Sequence, residues 1–436
     1  QVCKLREHIM NVITILCDTL RRDHVGAYNN GAPLDQCWSN QAPSWSVPTP
    51  NMDRLIDRGT VFDNAYIGST PCMPARRDIY TGRLEFLERG WGPLEEEDCD
   101  LPRQVSGDPN RSVQLMMEQG DRVSCLLTDH FHLWEQGSGN YHMGYTGFEF
   151  VRGIESDGLY TDPIDFPCPE GDRLGKNERH WRNVHFLRQN DEDYFCAQVC
   201  TKAADWLQRN HTHEDFYLHL DIFDPHEPWD PPASYADEYC PDYDGIDFIQ
   251  PGPVDGMSER ERERTKALYC GEVTFVDRWV GHLMAKIEAL GLKDDTAIVV
   301  LSDHGTQVMD HGAFGKGGAN LRRYNTGIVW QMYVPKQRHM TIDSLVQTHD
   351  VMPTLLEILG IPYDLTDGKS VMPLVRGETD LHRNPIVCGW AEFSTGNAGA
   401  VASVRTKEWN YISSVHDTGT EMLFDLTADP NENHDV

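Results

Sequence analysis

Basic residues are scarce in this chain: 38 lysines and arginines stand against 69 aspartates and glutamates in 436 residues, a formal charge of −31 at pH 7. A nucleic-acid-binding surface needs positive charge to displace counterions from phosphates, so no nucleic-acid partner is expected. An anionic substrate would have to meet positive charge gathered locally, from a metal ion, a few cationic side chains or helix N-termini. Long apolar runs are missing too. The most apolar stretch, Ile9 to Cys17, is about half the ~18 residues of a spanning helix, and no membrane segment is expected. The twelve cysteines are too few for a disulfide-stapled scaffold, and no Cys-x-x-Cys unit suggests a zinc knuckle. Most are expected to be reduced core thiols, with Cys196 and Cys200 on one helix face a turn apart, and reduced thiols point to a cytoplasmic setting.

What is present is the composition of a globular protein, 39% hydrophobic and 25% charged. Three short apolar runs each end in a polar cluster. Ile9 to Cys17 is followed by Asp18-Thr19, Phe216 to Phe223 by Asp224-Pro225-His226, and Ala297 to Leu301 by Ser302-Asp303-His304-Gly305. Near-continuous apolar character suits strands buried on both faces of a parallel sheet, and open α/β sheets bind ligands at the carboxyl ends of their strands. The three clusters are therefore expected to converge. Helices are predicted over Met52 to Arg58, Asp193 to Gln208, Arg264 to Leu290 and Asp350 to Leu359, the last stopped by Gly360. Alternating strands and helices give an α/β class. After a polar segment from Tyr363 to Ser370, read as a linker, four short strand-like runs (Pro385 to Trp390, Gly399 to Arg405, Asn410 to Val415, Met422 to Leu426) predict a small antiparallel sheet. Two units are expected, residues 1–365 as a catalytic α/β domain and 366–436 as a small subdomain.

The segment Ser69-Thr70-Pro71-Cys72-Met73-Pro74-Ala75-Arg76-Arg77-Asp78-Ile79-Tyr80-Thr81-Gly82-Arg83 carries the most chemistry. Pro74 suits the first turn of a helix and Gly82 its end, which puts Cys72 at the N-terminus, beside unpaired backbone N–H groups, with Arg76 one turn on. That is an anion site holding a nucleophile; the alternative is a half-buried cysteine beside a surface arginine.

Cys72-Met73-Pro74-Ala75-Arg76 followed by Thr81-Gly82-Arg83 resembles the C-x-P-x-R signature of the sulfatases. The likeness extends over Asn11 to Tyr28, Thr49 to Leu55, Ser302 to Lys316 and the closing Leu423-Phe424-Asp425-Leu426 with Asp429-Pro430-Asn431-Glu432, nearly the whole chain. It implies an alkaline-phosphatase-like fold, a large mixed sheet flanked by helices. It also implies oxidation of Cys72 to formylglycine by a maturation enzyme, and hydrolysis of a small-molecule or carbohydrate sulfate ester. By the same resemblance Asp18, Thr19, Cys72, Asp303 and His304 are the expected ligands of a divalent metal. Arg76 and Lys316 are expected on the transferring group, His226 on the leaving oxygen, and His132 on the formylglycine diol. His130 stands where a substrate-binding lysine is usual, and an extended 128–133 segment would put both imidazoles on one face.

The sequence departs from the family pattern in two places. Asp18-Thr19 replaces two adjacent aspartates, and Asp303-His304 replaces an Asp-Asn pair. Ca²⁺ is the first expectation, and the imidazole admits Mn²⁺ or Zn²⁺. Similar replacements occur in phosphonate monoester and phosphodiester hydrolases of the superfamily, which remain a second reading; a non-catalytic anion-binding protein with unmodified Cys72 is a third. Trp45, Trp91, Trp134 and Trp229 lie near these segments in sequence and are candidates to stack on substrate.

Overall fold

A computed structural model describes residues 10–37, 42–107, 122–135, 137–155, 157–159, 180–181, 184–250, 254–316, 321–363, 366–390, 401–414 and 421–436. Its centre is an eight-stranded sheet. In chain order the strands are β1 (Asn11–Cys17), β2 (Thr60–Phe62), β4 (Ser124–Thr128), β5 (Gly147–Phe150), β6 (Tyr217–Ile222), β7 (Thr296–Ser302), β8 (Trp330–Tyr333) and β9 (Met340–Ile342), with β3 (Ser69–Thr70) left for a second sheet. The spatial order is β9-β2-β8-β7-β1-β6-β4-β5. Only β8 runs against its neighbours; β7, β1, β6, β4 and β5 are parallel. The three runs singled out above are thus β7, β1 and β6, side by side at the middle of the sheet.

Alternation along these strands feeds two separate cores. Ile13, Ile15 and Cys17 face a layer that includes α3 (Phe195–Asn210) and α4 (Glu259–Ala289), while Val12 and Leu16 face α2 (Cys72–Thr81) and α5 (Val351–Leu359). Cys196 and Cys200 both point from α3 into the first core, as the one-turn spacing predicts. A shorter helix, α1 (Pro50–Ile56), packs against α4.

The small sheet has the order β13 (Met422–Asp425), β12 (Trp409–Ser414), β11 (Val401–Arg405), β10 (Ile386–Trp390) and β3. Its first four strands are antiparallel, while β3 joins β10 in parallel through Ser69↔Gly389 and Thr70↔Trp390. The strand that leads into Cys72 is therefore supported by the C-terminal sheet. Residues 366–370, read as part of a linker, instead pack on the end of α2: Gly368 N–H donates to Gly82 O at 2.9 Å, and Lys369 N–H to Asp350 at 2.8 Å. A Cβ at Gly368 would lie 1.8 Å from His349 O, so only glycine admits this approach.

Candidate metal centre and active site

Helix α2 begins at Cys72, after an N-cap at Pro71, and stops at Gly82, whose φ of 68° closes the helix in the left-handed conformation. This local structure places Cys72 in the first turn and Arg76 above it. Sheet order does the rest: β1 delivers Asp18 and β7 delivers Asp303-His304 from adjacent strand ends. One donor atom from each of Asp18, Cys72, Asp303 and His304 lies within 4.8 Å of all the others, and all four residues are buried. His304 Nδ1 sits 2.8 Å from Gly305 O, so it carries the proton and Nε2 keeps a lone pair, 3.2 Å from Cys72 Sγ. Burial holds this imidazole down to about 4, keeping it neutral.

Charge in the cluster is unbalanced. Burial pushes the Asp303 carboxyl well above the usual carboxylate range, with the Asp18 charge adding to it. Burial acts the same way on Asp18, but Arg76 and His226 outweigh it and hold that carboxyl well below its usual range. Burial, reinforced by Asp18, also pushes the Cys72 thiol well up. Two carboxylates and an imidazole lone pair converging in a buried space fit a divalent cation, which would relieve the repulsion between the acids.

Arg76 does not reach outward. Its Nε and Nη2 donate to the two oxygens of Asp221 at 2.8 and 2.7 Å, and Nη1 donates to Asp303 Oδ2 at 2.6 Å and Cys72 O at 3.2 Å, with Asp18 Oδ2 at 3.0 Å. Above the cluster, Lys316 Nζ lies 2.5 Å from His226 Nε2 and 3.2 Å from Glu227 Oε1. His226 Nδ1 faces the Glu227 carbonyl, so the ring holds its proton there and accepts from Lys316 at Nε2. Burial lowers the His226 pKa against the opposing charge of Glu227, and Lys316 lowers it further.

The protein-family model described as "Sulfatase" matches residues 10–361. The chain belongs to the sulfatase family. A second model, "N-sulphoglucosamine sulphohydrolase, C-terminal", matches residues 311–436 of this sulfatase. It is 24% identical to an arylsulfatase of Clostridium perfringens over 97% of this chain and 89% of that one. It is also 27% identical to the "Multifunctional alkaline phosphatase superfamily protein PehA" of Trinickia caryophylli over 88% of this chain and 85% of that one. Among solved structures, the phosphonate monoester hydrolase of Agrobacterium radiobacter superposes with a TM-score of 0.71 at 20% identity, over 98% of this chain and 91% of that one, a likeness of fold. The alkaline-phosphatase-like architecture is thereby established, and the sulfatase is a sulfuric ester hydrolase by family.

Most of the expected site residues of the sulfatase do meet, with three differences. Arg76, expected on the transferring group, directs its guanidinium to Asp221, Asp303, Asp18 and the Cys72 carbonyl. Thr19, expected as a ligand, turns its hydroxyl onto Asp18 Oδ1 as a donor. The 128–133 segment is not extended: Phe131–Leu133 form a 3₁₀ turn, helped by His130 N–H donating back to Thr128 Oγ1 at 2.8 Å. The two imidazoles still meet edge to face at 5.4 Å, but they take different partners. His130, held down to about 3 by burial first and Arg76 second, lies with Nε2 3.0 Å from Asp18 Oδ2. His132, the expected partner of the diol, instead faces Glu135 through Nδ1 at 2.6 Å and Glu155 through Nε2 at 3.3 Å.

Of the four tryptophans, Trp91 meets His132 edge to face at 5.2 Å. Trp134 is stacked between Phe150 and His142, Trp229 is buried with Nε1 on Pro225 O, and Trp45 packs on Tyr239. Asp221 escaped the sequence reading. The available signal is that Tyr217, His219 and Asp221 alternate with Leu218, Leu220 and Ile222 in a wholly buried strand, and a carboxylate there needs a buried partner.

Proposed function

We propose that this sulfatase hydrolyses a small-molecule or carbohydrate sulfate monoester through formylglycine made from Cys72, with a divalent metal bound by Asp18, Asp303, His304 and the side chain at position 72. The observation that carries this reading is the convergence of Cys72, Asp18, Asp303 and His304. In such a site the Cys72 sulfur stands in for an oxygen of hydrated formylglycine, and the metal would polarise the ester oxygens and lower the pKa of that hydroxyl. Arg76 fixes the two aspartates through its fork of N–H groups, and Asp221 fixes Arg76. Lys316, its charge retained beside Glu227, donates towards the bridging oxygen. His226, after taking up a second proton at Nε2 in place of the Lys316 contact, passes that proton to the departing alcohol and returns to the neutral ring. His130 steadies Asp18.

Ca²⁺ is the first metal to test, and the His304 nitrogen in the donor set makes Mn²⁺ and Zn²⁺ the next. The Asp303-His304 pair and the fold likeness to a phosphonate monoester hydrolase support a second reading, hydrolysis of phosphonate monoesters or phosphodiesters by the same groups. Kinetics on matched aryl sulfate and aryl phosphonate esters separate the two: a higher kcat/KM for the sulfate is expected, and a strong preference for the phosphonate overturns the first reading. Mass spectrometry of the peptide containing position 72, from the native host, is expected to show an aldehyde in place of the thiol; an intact thiol in protein without esterase activity supports an anion-binding role.

A further inference from the structure

We propose that Tyr269, in the middle of α4, is a positioning residue for the metal-binding carboxylates and acts through the backbone of Thr19. The inference rests on the reading that Asp18, Asp303 and His304 take a dication. Thr19 directly follows Asp18 and has a φ of 63°. For a β-branched residue this left-handed region crowds Cβ against the backbone, and such a conformation persists only where its surroundings impose it. Three contacts impose it here. The Thr19 N–H donates to Asp303 Oδ1 at 2.9 Å, its hydroxyl donates to Asp18 Oδ1, and its carbonyl accepts from the Tyr269 hydroxyl at 2.8 Å. The same phenolic oxygen accepts from the Arg21 N–H at 2.9 Å, so one hydroxyl ties both ends of the 19–21 turn to α4.

The Tyr269 ring is fully buried and wedged against His24 at 5.0 Å and Trp229 at 5.1 Å, which fixes where its hydroxyl stands. Thr19 bonds Oδ1 of each aspartate, while Arg76 holds the Oδ2 atoms, so the φ of Thr19 helps set how the two carboxylates face one another. Without the phenolic hydroxyl, a buried carbonyl and a buried N–H lose their partner. Thr19 is then released towards negative φ, which carries its N–H away from Asp303.

A double-mutant cycle tests this, because glycine holds a positive φ unaided. Mn²⁺ and Ca²⁺ affinities of the mature protein are measured by titration calorimetry for wild type, Tyr269→Phe, Thr19→Gly and the double variant. Tyr269→Phe is expected to weaken binding about tenfold or more beside Thr19 and by less than about threefold in the Thr19→Gly background. Equal factors in both backgrounds, or unchanged affinity in Tyr269→Phe, overturn the proposal. If Tyr269→Phe alone fails to fold, the double variants Tyr269→Phe/Thr19→Gly and Tyr269→Phe/Thr19→Ala decide it. The glycine form is expected to bind at least about tenfold more tightly, since alanine keeps the Cβ penalty, and equal binding overturns the proposal. Wild-type protein that binds neither ion contradicts the metal reading and with it this inference; wild-type binding that survives Tyr269→Phe contradicts this inference alone.

Discussion

Arg76 and Asp221 form a fully buried, two-pronged ion pair whose members lie 145 residues apart in sequence. Such a pair is costly to break, because the remaining charge is left without a partner in a dry interior. Asp221→Asn is expected to lower stability by about 3–5 kcal/mol in urea unfolding and to depress kcat through misplaced Asp303 and Asp18. A stability loss under about 1 kcal/mol would contradict the role given to the pair. The His226–Lys316 contact makes a prediction with a defined sign. Burial lowers the His226 pKa first; the Glu227 charge opposes it, and the Lys316 charge is the other lowering cause. If protonated His226 feeds the leaving group, kcat/KM falls as pH rises through a value below the usual ~6.5. Lys316→Ala removes one of the two lowering causes, so this falling limb should move to higher pH in a pH–rate profile, although overall activity drops. A limb that stays in place or moves to lower pH would contradict the assignment.

Three strand ends build the site, and these were legible because β1, β6 and β7 are short, apolar and each followed by polar residues. The helix at Cys72 was legible from Pro74 and Gly82. Contacts set by side-chain packing across the sheet were not: Asp221 sits within β6, where its alternation with Leu220 and Ile222 reads as strand pattern, and the partner that explains it is on α2. The 131–133 turn was hidden for a related reason, since a hydrogen bond from His130 N–H to Thr128 Oγ1 redirects a segment whose composition suits a strand. Helix α1 depends on a neighbour in the same way. Asp277 of α4 accepts from the N–H groups of Asn51 at 3.1 Å and Met52 at 2.8 Å, capping α1 across 225 residues. Asp277→Ala is expected to cost about 1–2 kcal/mol, as loss of a helix cap does, measured by the urea midpoint; an unchanged midpoint would contradict the capping role.

The whole molecule sets a repulsive background for its own substrate, with a formal charge of −31 against an anionic ester. Salt screens such repulsion over a Debye length of about 10 Å at 0.1 M. kcat/KM for an anionic aryl sulfate is therefore expected to rise with ionic strength, and a fall would show that the local cationic field controls capture. The two sheets are also joined through the site, since β3 pairs with β10 immediately before Cys72. Residues 1–365 produced alone should lose esterase activity and melt at lower temperature than the full chain; full activity in that fragment would contradict the supporting role of the C-terminal sheet. The central claim is that a dication joins Asp18, Asp303, His304 and the side chain at position 72. Anomalous scattering from crystals of active protein grown with Mn²⁺ tests it most directly. A single strong peak within about 2.6 Å of both carboxylates and His304 Nε2 is predicted, and active crystals with no peak in reach of those atoms would contradict it.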